Sequence, residues 1–288
     1  MTTTINLVIQ SPALTDSHAE HLAALASAEG IVRLSQTAMR LLDVDTDAQT
    51  KKETQAWADA HRIDAAFVPA ARKLSDCRVL AMDMDSTLIN IECIDEIAAY
   101  TGLGAQIAAI TEASMRGEIK DFSESLSRRV AMLAGVDASV LERVYEDKLR
   151  LNPGAERLLA SAHAAGIKTL LISGGFTFFT ERLHKQLHLT AAYSNTLEIG
   201  SDGKLTGRVL GDILGAEAKA THLRAFAAEH GATQADQIIA MGDGANDLEM
   251  LAVAGYAVAY HAKPLVRQQA PYAISYCGLD GVLNWFEA

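Results

Sequence analysis

The chain is poor in cysteine, proline and aromatic residues, and it has no excess of positive charge. Its three cysteines, Cys77, Cys93 and Cys277, form no CxxC pair. An odd count without paired spacing argues against a disulfide framework or a cysteine-rich zinc site, and the expected compartment is the reducing cytoplasm. A net charge of −11 over 288 residues provides no general basic face of the kind that nucleic acid or an anionic membrane requires. No apolar run approaches the roughly 18 residues of a membrane span. The opening "MTTTINLVIQSPALTDSHAEH" lacks the basic and apolar regions of a signal peptide. The nine histidines fall in no ligand pattern. The expectation is a soluble protein with neither nucleic acid nor membrane as partner.

What is present is an ordinary globular composition, 49% hydrophobic and 21% charged. The length allows one large domain or two modest ones. Residues 1–75 read as a small α+β unit. "INLVIQ" is a strand, "DSHAEHLAALASAEG" a helix stopped by Gly30, and "IVRLSQTAMRLLDV" one long strand or two short ones. "DAQTKKETQAWADAHR" is a second helix and "IDAAFVPA" a last strand, with the polar "ARKLSDCR" as linker.

From Arg78 onward short apolar runs end repeatedly in polar or glycine-rich turns: "VLAM-DMDS", "KTLLI-SGGF", "QIIAM-GDGAND", "YAVAY-HAKP" and "YAISY-CGLDG". Repeated strand–turn–helix units predict an α/β fold over 76–288, a Rossmann-like parallel sheet with helices on both faces. Ligands in such sheets bind at the carboxyl ends of the strands. Residues 91–150 break the rhythm. They read as several helices, an insertion placed to cap those strand ends. Residues 191–210 read as strands joined by a tight Ser-Asp-Gly turn.

The chemistry-bearing residues sit where these runs stop. Asp83 and Asp85 in "DMDST" would share one side of an extended strand, and two such carboxylates repel unless a cation neutralises them. "GDGANDLEM" adds Asp243 and Asp247 at a second strand end. Hard oxygen ligands without His or Cys favour Mg²⁺ over zinc. A calcium-binding EF-hand loop fails on its own pattern: counted from Asp83, its glycine and glutamate positions hold Leu88 and Ile94. Ser173 in "LLISGGF" precedes two glycines that let backbone N–H groups approach a phosphate. Lys219 opens a predicted helix in "GAEAKATHLRAF". Each of these two signals is weak alone, and the joint order D-x-D-S-T, helical insertion, S-G-G, Lys, G-D-G-x-N-D is specific.

From about Cys77 to its end the chain resembles the haloacid dehalogenase-like superfamily. Within it, "DMDSTLINIECIDEIA", "FSESLSRRV", "SGGF" and "GDGANDLEMLAVAG" resemble the phosphoserine phosphatases. The resemblance implies hydrolysis of O-phospho-L-serine to L-serine, the last step of serine biosynthesis, through an aspartyl-phosphate. Asp83 is then the nucleophile and Asp85 the general acid and base. Mg²⁺ is held by Asp83, Asp243 and the backbone carbonyl of Asp85, with Asp247 in support. Lys219, Ser173 and the Gly174 N–H meet the phosphoryl oxygens. Glu92 matches the acid that meets the substrate ammonium, and Arg129 the arginine that meets its carboxylate, with Arg128 adjacent as the other choice of register. Phe122 and Met115 match apolar residues of the cap, which also read as plain helix packing. Asn246 matches a residue that orients site groups.

The element order of residues 1–75 resembles the amino-acid-binding modules of the ACT type (ferredoxin-like). A homodimer through this unit and an amino-acid effector are what that resemblance implies, and a purely structural appendage is the equal alternative. Two other functions stay open at this level: a phosphatase or mutase for another small phosphate ester, and a catalytically silent amino-acid sensor.

Overall fold

The computed structural model describes residues 4–115, 119 and 121–287, without the side chains of residues 112, 114 and 115. A four-stranded antiparallel sheet opens the chain, in the order β2-β3-β1-β4: β1 (Ile5–Gln10), β2 (Gly30–Arg33), β3 (Ala38–Leu42) and β4 (Asp64–Pro69). Strand alternation divides β1 cleanly. Leu7 and Ile9 face the helices α1 (Asp16–Leu25) and α2 (Ala48–Ala60) in one core, while Val8 joins the core of the larger unit. Burial on both faces is why Leu7, Val8 and Ile9 are consecutive apolar residues rather than alternating with polar ones.

Two expectations for this unit need correction or a choice. The first helix does not run to Gly30. It ends at Leu25, the chain turns through Ser27 at φ 51°, and Gly30 begins β2. The stretch 31–44 is two strands, β2 and β3, paired as a hairpin.

The second sheet has seven strands in the order β11-β10-β9-β5-β6-β7-β8. They are β5 (Val79–Met82), β6 (Lys168–Phe176), β7 (Ala191–Ile199), β8 (Leu205–Leu210), β9 (Ile238–Gly242), β10 (Tyr256–Tyr260) and β11 (Tyr272–Ile274). All pairs are parallel except β7 with β8, the hairpin expected at 191–210. In β5, Val79 and Ala81 enter the core on one face, and Leu80 and Met82 the core on the other. Helices α7 (Ala155–Ala164), α8 (Thr177–Gln186), α9 (Ala216–Glu229), α10 (Leu248–Leu251) and α11 (Pro264–Gln269) connect the strands.

The insertion after β5 is helical, as expected: α3 (Cys93–Thr101), α4 (Gly104–Met115), α5 (Phe122–Ala131) and α6 (Ser139–Asp147). Its entry and exit are stitched into a short antiparallel ribbon. Ile89 bridges Leu151, the Asn90 N–H donates to the Arg150 carbonyl at 3.0 Å, and the Asn152 N–H to that of Leu88 at 2.9 Å. Among the described residues no helix is long and apolar enough to cross a membrane.

The two sheets are joined by buried polar contacts. Asp64 of β4 accepts backbone N–H groups of Ser275 (2.6 Å), Tyr276 and Cys277 (3.0 Å) just after β11. Burial pushes its carboxyl upward against the pull of those amides. Arg40 of β3 donates to the carbonyls of Asn284 and Phe286.

Candidate active site

Strand register assembles the site. Met82 pairs with Met241 on one side and Leu171 on the other. The residues just beyond those pairs, Asp83, Asp243 and Ser173, therefore emerge side by side at the carboxyl edge of three adjacent strands. Helix α9 brings Lys219 beneath them, fully buried. Its ammonium donates to Asp83 Oδ1 and to Asp247 Oδ1, both at 2.7 Å. Asp247 uses its other oxygen to accept the backbone N–H groups of Gly244 (3.0 Å) and Asp243 (3.2 Å). Asp243 Oδ1 accepts from the Thr87 hydroxyl.

Asp83 and Asp85 do line one cavity, but not by strand alternation. β5 stops at Met82, and the chain turns through Asp85 (φ −63°, ψ 133°) and Ser86 (φ 56°). That turn aims Asp85 back over the strand ends, where its Oδ1 accepts the Cys93 N–H at 3.0 Å. Ser86 donates to Glu92 at 2.7 Å. Ser173 is likewise not the last residue of its strand. β6 runs on through both glycines to Phe176 with an irregular register, and the Ser173 hydroxyl accepts the Gly175 N–H at 2.8 Å. Asn195 donates to the Gly174 carbonyl and accepts from the Leu214 N–H, which ties this loop to the one before α9.

The cavity is about 1200 Å³ and lies between these strand ends and the helical insertion. Asp83, Asp85, Ser173, Gly174, Asp243 and Asn246 line the strand side, and Glu92, Phe122 and Arg129 the insertion side. Arg129 turns inward, its Nε donating to the Ser125 carbonyl. Among the described residues no carboxylate is within ion-pair distance of it. Arg128 faces outward and pairs with Glu124. Phe122 rests on glycine: a Cβ at Gly174 would stand 2.6 Å from its ring, and one at Gly215 3.6 Å. Met115 ends α4, and its side chain lies outside the described residues.

The electrostatics call for a cation. Burial, then the charge of Asp247, pushes Asp83 well up from the usual carboxylate range, against the opposing Lys219. Burial, then Asp247, pushes Asp243 up to about 7. Burial, then Glu92, does the same for Asp85, also to about 7. Burial alone would lower Lys219, but Asp247 and Asp83 outweigh it and hold the ammonium charged. Three buried carboxylates, Asp83, Asp243 and Asp247, offer oxygens within 4.8 Å of one another. One ammonium does not neutralise them, so the donor set fits a hard divalent ion. Asp83 and Asp243 each retain an oxygen without a partner among the described residues, whereas Asp247 has both engaged.

Sequence reasoning passed over Thr87, Asn195 and Lys263. The Lys263 side chain lines the cavity, its charge opposes the rise in Asp243, and its N–H donates to the Asp243 carbonyl. Its only signal was its place after the apolar run "YAVAY".

A family model for haloacid dehalogenase-like hydrolases matches residues 80–252, and one described as a domain of unknown function matches residues 7–51. The chain belongs to the haloacid dehalogenase-like hydrolases, and its relatives place it among their phosphoserine phosphatases. It is 54% identical to a phosphoserine phosphatase of Polaromonas over 74% of this chain and 91% of that one. Two solved structures match nearly its full length. A haloacid dehalogenase family hydrolase of Salmonella enterica serovar Typhi has a TM-score of 0.88 and 33% identity, covering 98% of this chain and 99% of the other. A probable phosphoserine phosphatase of Vibrio cholerae has a TM-score of 0.81 and 35% identity, covering 98% and 86%.

Proposed function

We propose that this chain is a cytoplasmic, Mg²⁺-dependent phosphatase that hydrolyses O-phospho-L-serine to L-serine and phosphate, the last step of serine biosynthesis. The observation that carries the reading is one cavity with an acidic floor underlain by Lys219 and a roof that presents an acid and an arginine with no carboxylate within ion-pair distance among the described residues. The phosphate goes to the floor, and the ammonium and carboxylate of the serine moiety to Glu92 and Arg129. Phe122 and Met115 close over the apolar part of the substrate, and Asn246 orients the groups around it.

Asp83 attacks phosphorus through a carboxylate oxygen. The bond from phosphorus to the serine oxygen breaks, and protonated Asp85 gives its proton to that oxygen. Asp85, now a carboxylate, takes a proton from water as the water oxygen attacks the same phosphorus. The acyl-phosphate bond breaks and Asp83 is restored. Lys219, the Ser173 hydroxyl and the Gly174 N–H stabilise charge on the phosphoryl oxygens. Asp83, Asp243 and the backbone carbonyl of Asp85 would hold Mg²⁺, with Asp247 buttressing the site. The ion supplies the positive charge that lets one anion approach another.

Residues 1–75 form, in this reading, a regulatory or dimerising unit attached to a phosphatase unit, 76–288, whose cap is about 91–150. The test is phosphate release from a panel of small esters, with and without Mg²⁺, for the wild type and Asp83→Asn. The expected result is a rate confined to phosphoserine, abolished by chelator and lowered on the order of 10⁴-fold by the substitution. A Mg²⁺-dependent rate spread over sugar phosphates would leave the floor chemistry standing and overturn the roof assignment.

A further inference from the structure

The rim of the cavity carries a charge pattern that neither floor nor roof explains. Three of its lining carboxylates are exposed: Asp95 and Asp121 of the helical insertion and Glu217 of α9. Four more line the interior. Among the described residues two cationic side chains stand against them in the lining, half-buried Arg129 and exposed Lys263. Lys219 lies beneath the floor and is already shared between Asp83 and Asp247. The phosphate of a phosphoserine carries a charge of about −1.5 to −2 near neutral pH. An acidic wall repels such a group, and a cleft of low dielectric focuses that field. The rim therefore presents an entering phosphate with one exposed cation among the described residues, Lys263.

The backbone fixes where that cation starts. Lys263 lies between β10 and α11, and the sheet order β10-β9-β5-β6 puts it on the flank of Asp243 opposite Ser173. Its N–H donates to the Asp243 carbonyl at 3.1 Å. Pro264 follows at the start of α11 and holds the residue before it in an extended conformation, which Lys263 adopts at φ −60° and ψ 150°. The root of the side chain is thus tied to the floor, while its ammonium forms no ion pair among the described residues. Most exposed lysines are simply solvated. This one differs in being anchored beside Asp243 and in opposing the sign of the rim around it.

We propose that Lys263 captures the phosphate of the substrate: its ammonium draws the anion past the rim carboxylates and helps to hold it beside Asp243, taking no part in either chemical step. The identity of the ester rests on the phosphatase reading, and the attraction of a phosphate group does not. An effect of this kind depends on the sign of the side chain, appears in binding, and weakens as salt screens an exposed charge.

The experiment is a charge series at this one position, Lys263→Arg, Lys263→Gln and Lys263→Glu, with kcat and KM for phosphoserine measured at about 20 mM and about 500 mM ionic strength. Each variant keeps the N–H that meets Asp243 and alters only an exposed side chain. At low salt Lys263→Gln should lower kcat/KM about five-fold and Lys263→Glu about 25-fold, both through KM, with kcat within about two-fold of the wild type. Lys263→Arg should behave as the wild type does. At high salt all differences should shrink to about two-fold.

The proposal is overturned if Lys263→Gln matches the wild type at low salt, or if Lys263→Gln and Lys263→Glu lose equally. It is also overturned if the losses fall on kcat and persist at high salt, which would make Lys263 a support for Asp243 instead. Calorimetric binding of inorganic phosphate with Mg²⁺ present separates this proposal from the phosphatase reading. A phosphate Kd that rises from Lys263→Arg to Lys263→Gln to Lys263→Glu, in a chain that turns over no phosphoserine, would sustain Lys263 and sink the phosphoserine assignment alone. A phosphate Kd equal in all four proteins would remove the capture role, whichever ester is turned over.

Discussion

The floor and the roof of the cavity are built on opposite principles. On the floor the buried charged groups already have protein partners: Lys219 bridges Asp83 and Asp247, Asp247 caps two amides, and Asp243 takes the Thr87 hydroxyl. On the roof, among the described residues, Arg129 faces the cavity with no carboxylate within ion-pair distance, and the Glu92 carboxylate accepts from the Ser86 hydroxyl alone. A floor fixed in advance suits charge that develops at one atom, because the dipoles need not reorganise during reaction. A roof with unmet charges suits recognition, because substrate must supply what is missing, and an analogue lacking it leaves those charges unpaired.

Removing the floor's cation breaks the contrast most severely. Lys219→Met keeps the volume but leaves buried carboxylates facing one another. Breaking a buried pair in this way costs about 3–5 kcal/mol. Urea unfolding in chelator should show a loss of that order, and added Mg²⁺ should recover part of it while turnover stays lost by orders of magnitude. A variant as stable as the wild type in chelator would mean that the pairing seen at 2.7 Å contributes nothing net.

The roof should respond differently. In the proposed reading the partner of Arg129 arrives with the substrate, so Arg129→Ala should change stability little. With phosphoserine, kcat/KM should fall by about 10²-fold, the scale of a lost charge-assisted pair of about 3 kcal/mol. Ethanolamine phosphate, which lacks the carboxylate, should show no such difference between wild type and variant. An equal loss on both esters would show that Arg129 positions the helix rather than the carboxylate.

The same division governs what the sequence revealed. Asp83, Ser173 and Asp243 were legible because each follows an apolar run, and such runs mark strands buried on both faces. Which carboxylate meets Lys219 was not legible, since Asp83 lies 136 residues away and only the strand order brings them together. The shared aim of Asp83 and Asp85 was foreseen for the wrong reason. It comes from a turn with Ser86 at positive φ, a conformation no serine announces. Gly30 misled as a helix stop because Ser27 supplies the left-handed turn instead. On the roof, helix α5 carries two adjacent arginines, and only the packed structure distinguishes the inward Arg129 from the outward Arg128. Asn152 gave no signal at all, because its three acceptors are backbone carbonyls.

The smallest expected effect tests where floor and roof touch. Phe122 sits over Gly174 and Gly215, but a methyl group would meet its ring at 2.6 Å in the first case and 3.6 Å in the second. The shorter distance is far inside van der Waals contact, and the longer one is an ordinary packing separation. Gly174→Ala should therefore push the ring aside and raise KM for phosphoserine by about ten-fold, whereas Gly215→Ala should keep KM within about three-fold. Because the proposed mechanism also uses the Gly174 N–H, the steric part must be separated by a double-mutant cycle with Phe122→Ala. If the ring contact is the cause, Gly174→Ala costs little once the ring is gone. If the full penalty persists without the ring, Gly174 belongs to the floor alone, and Phe122 does not couple the two halves.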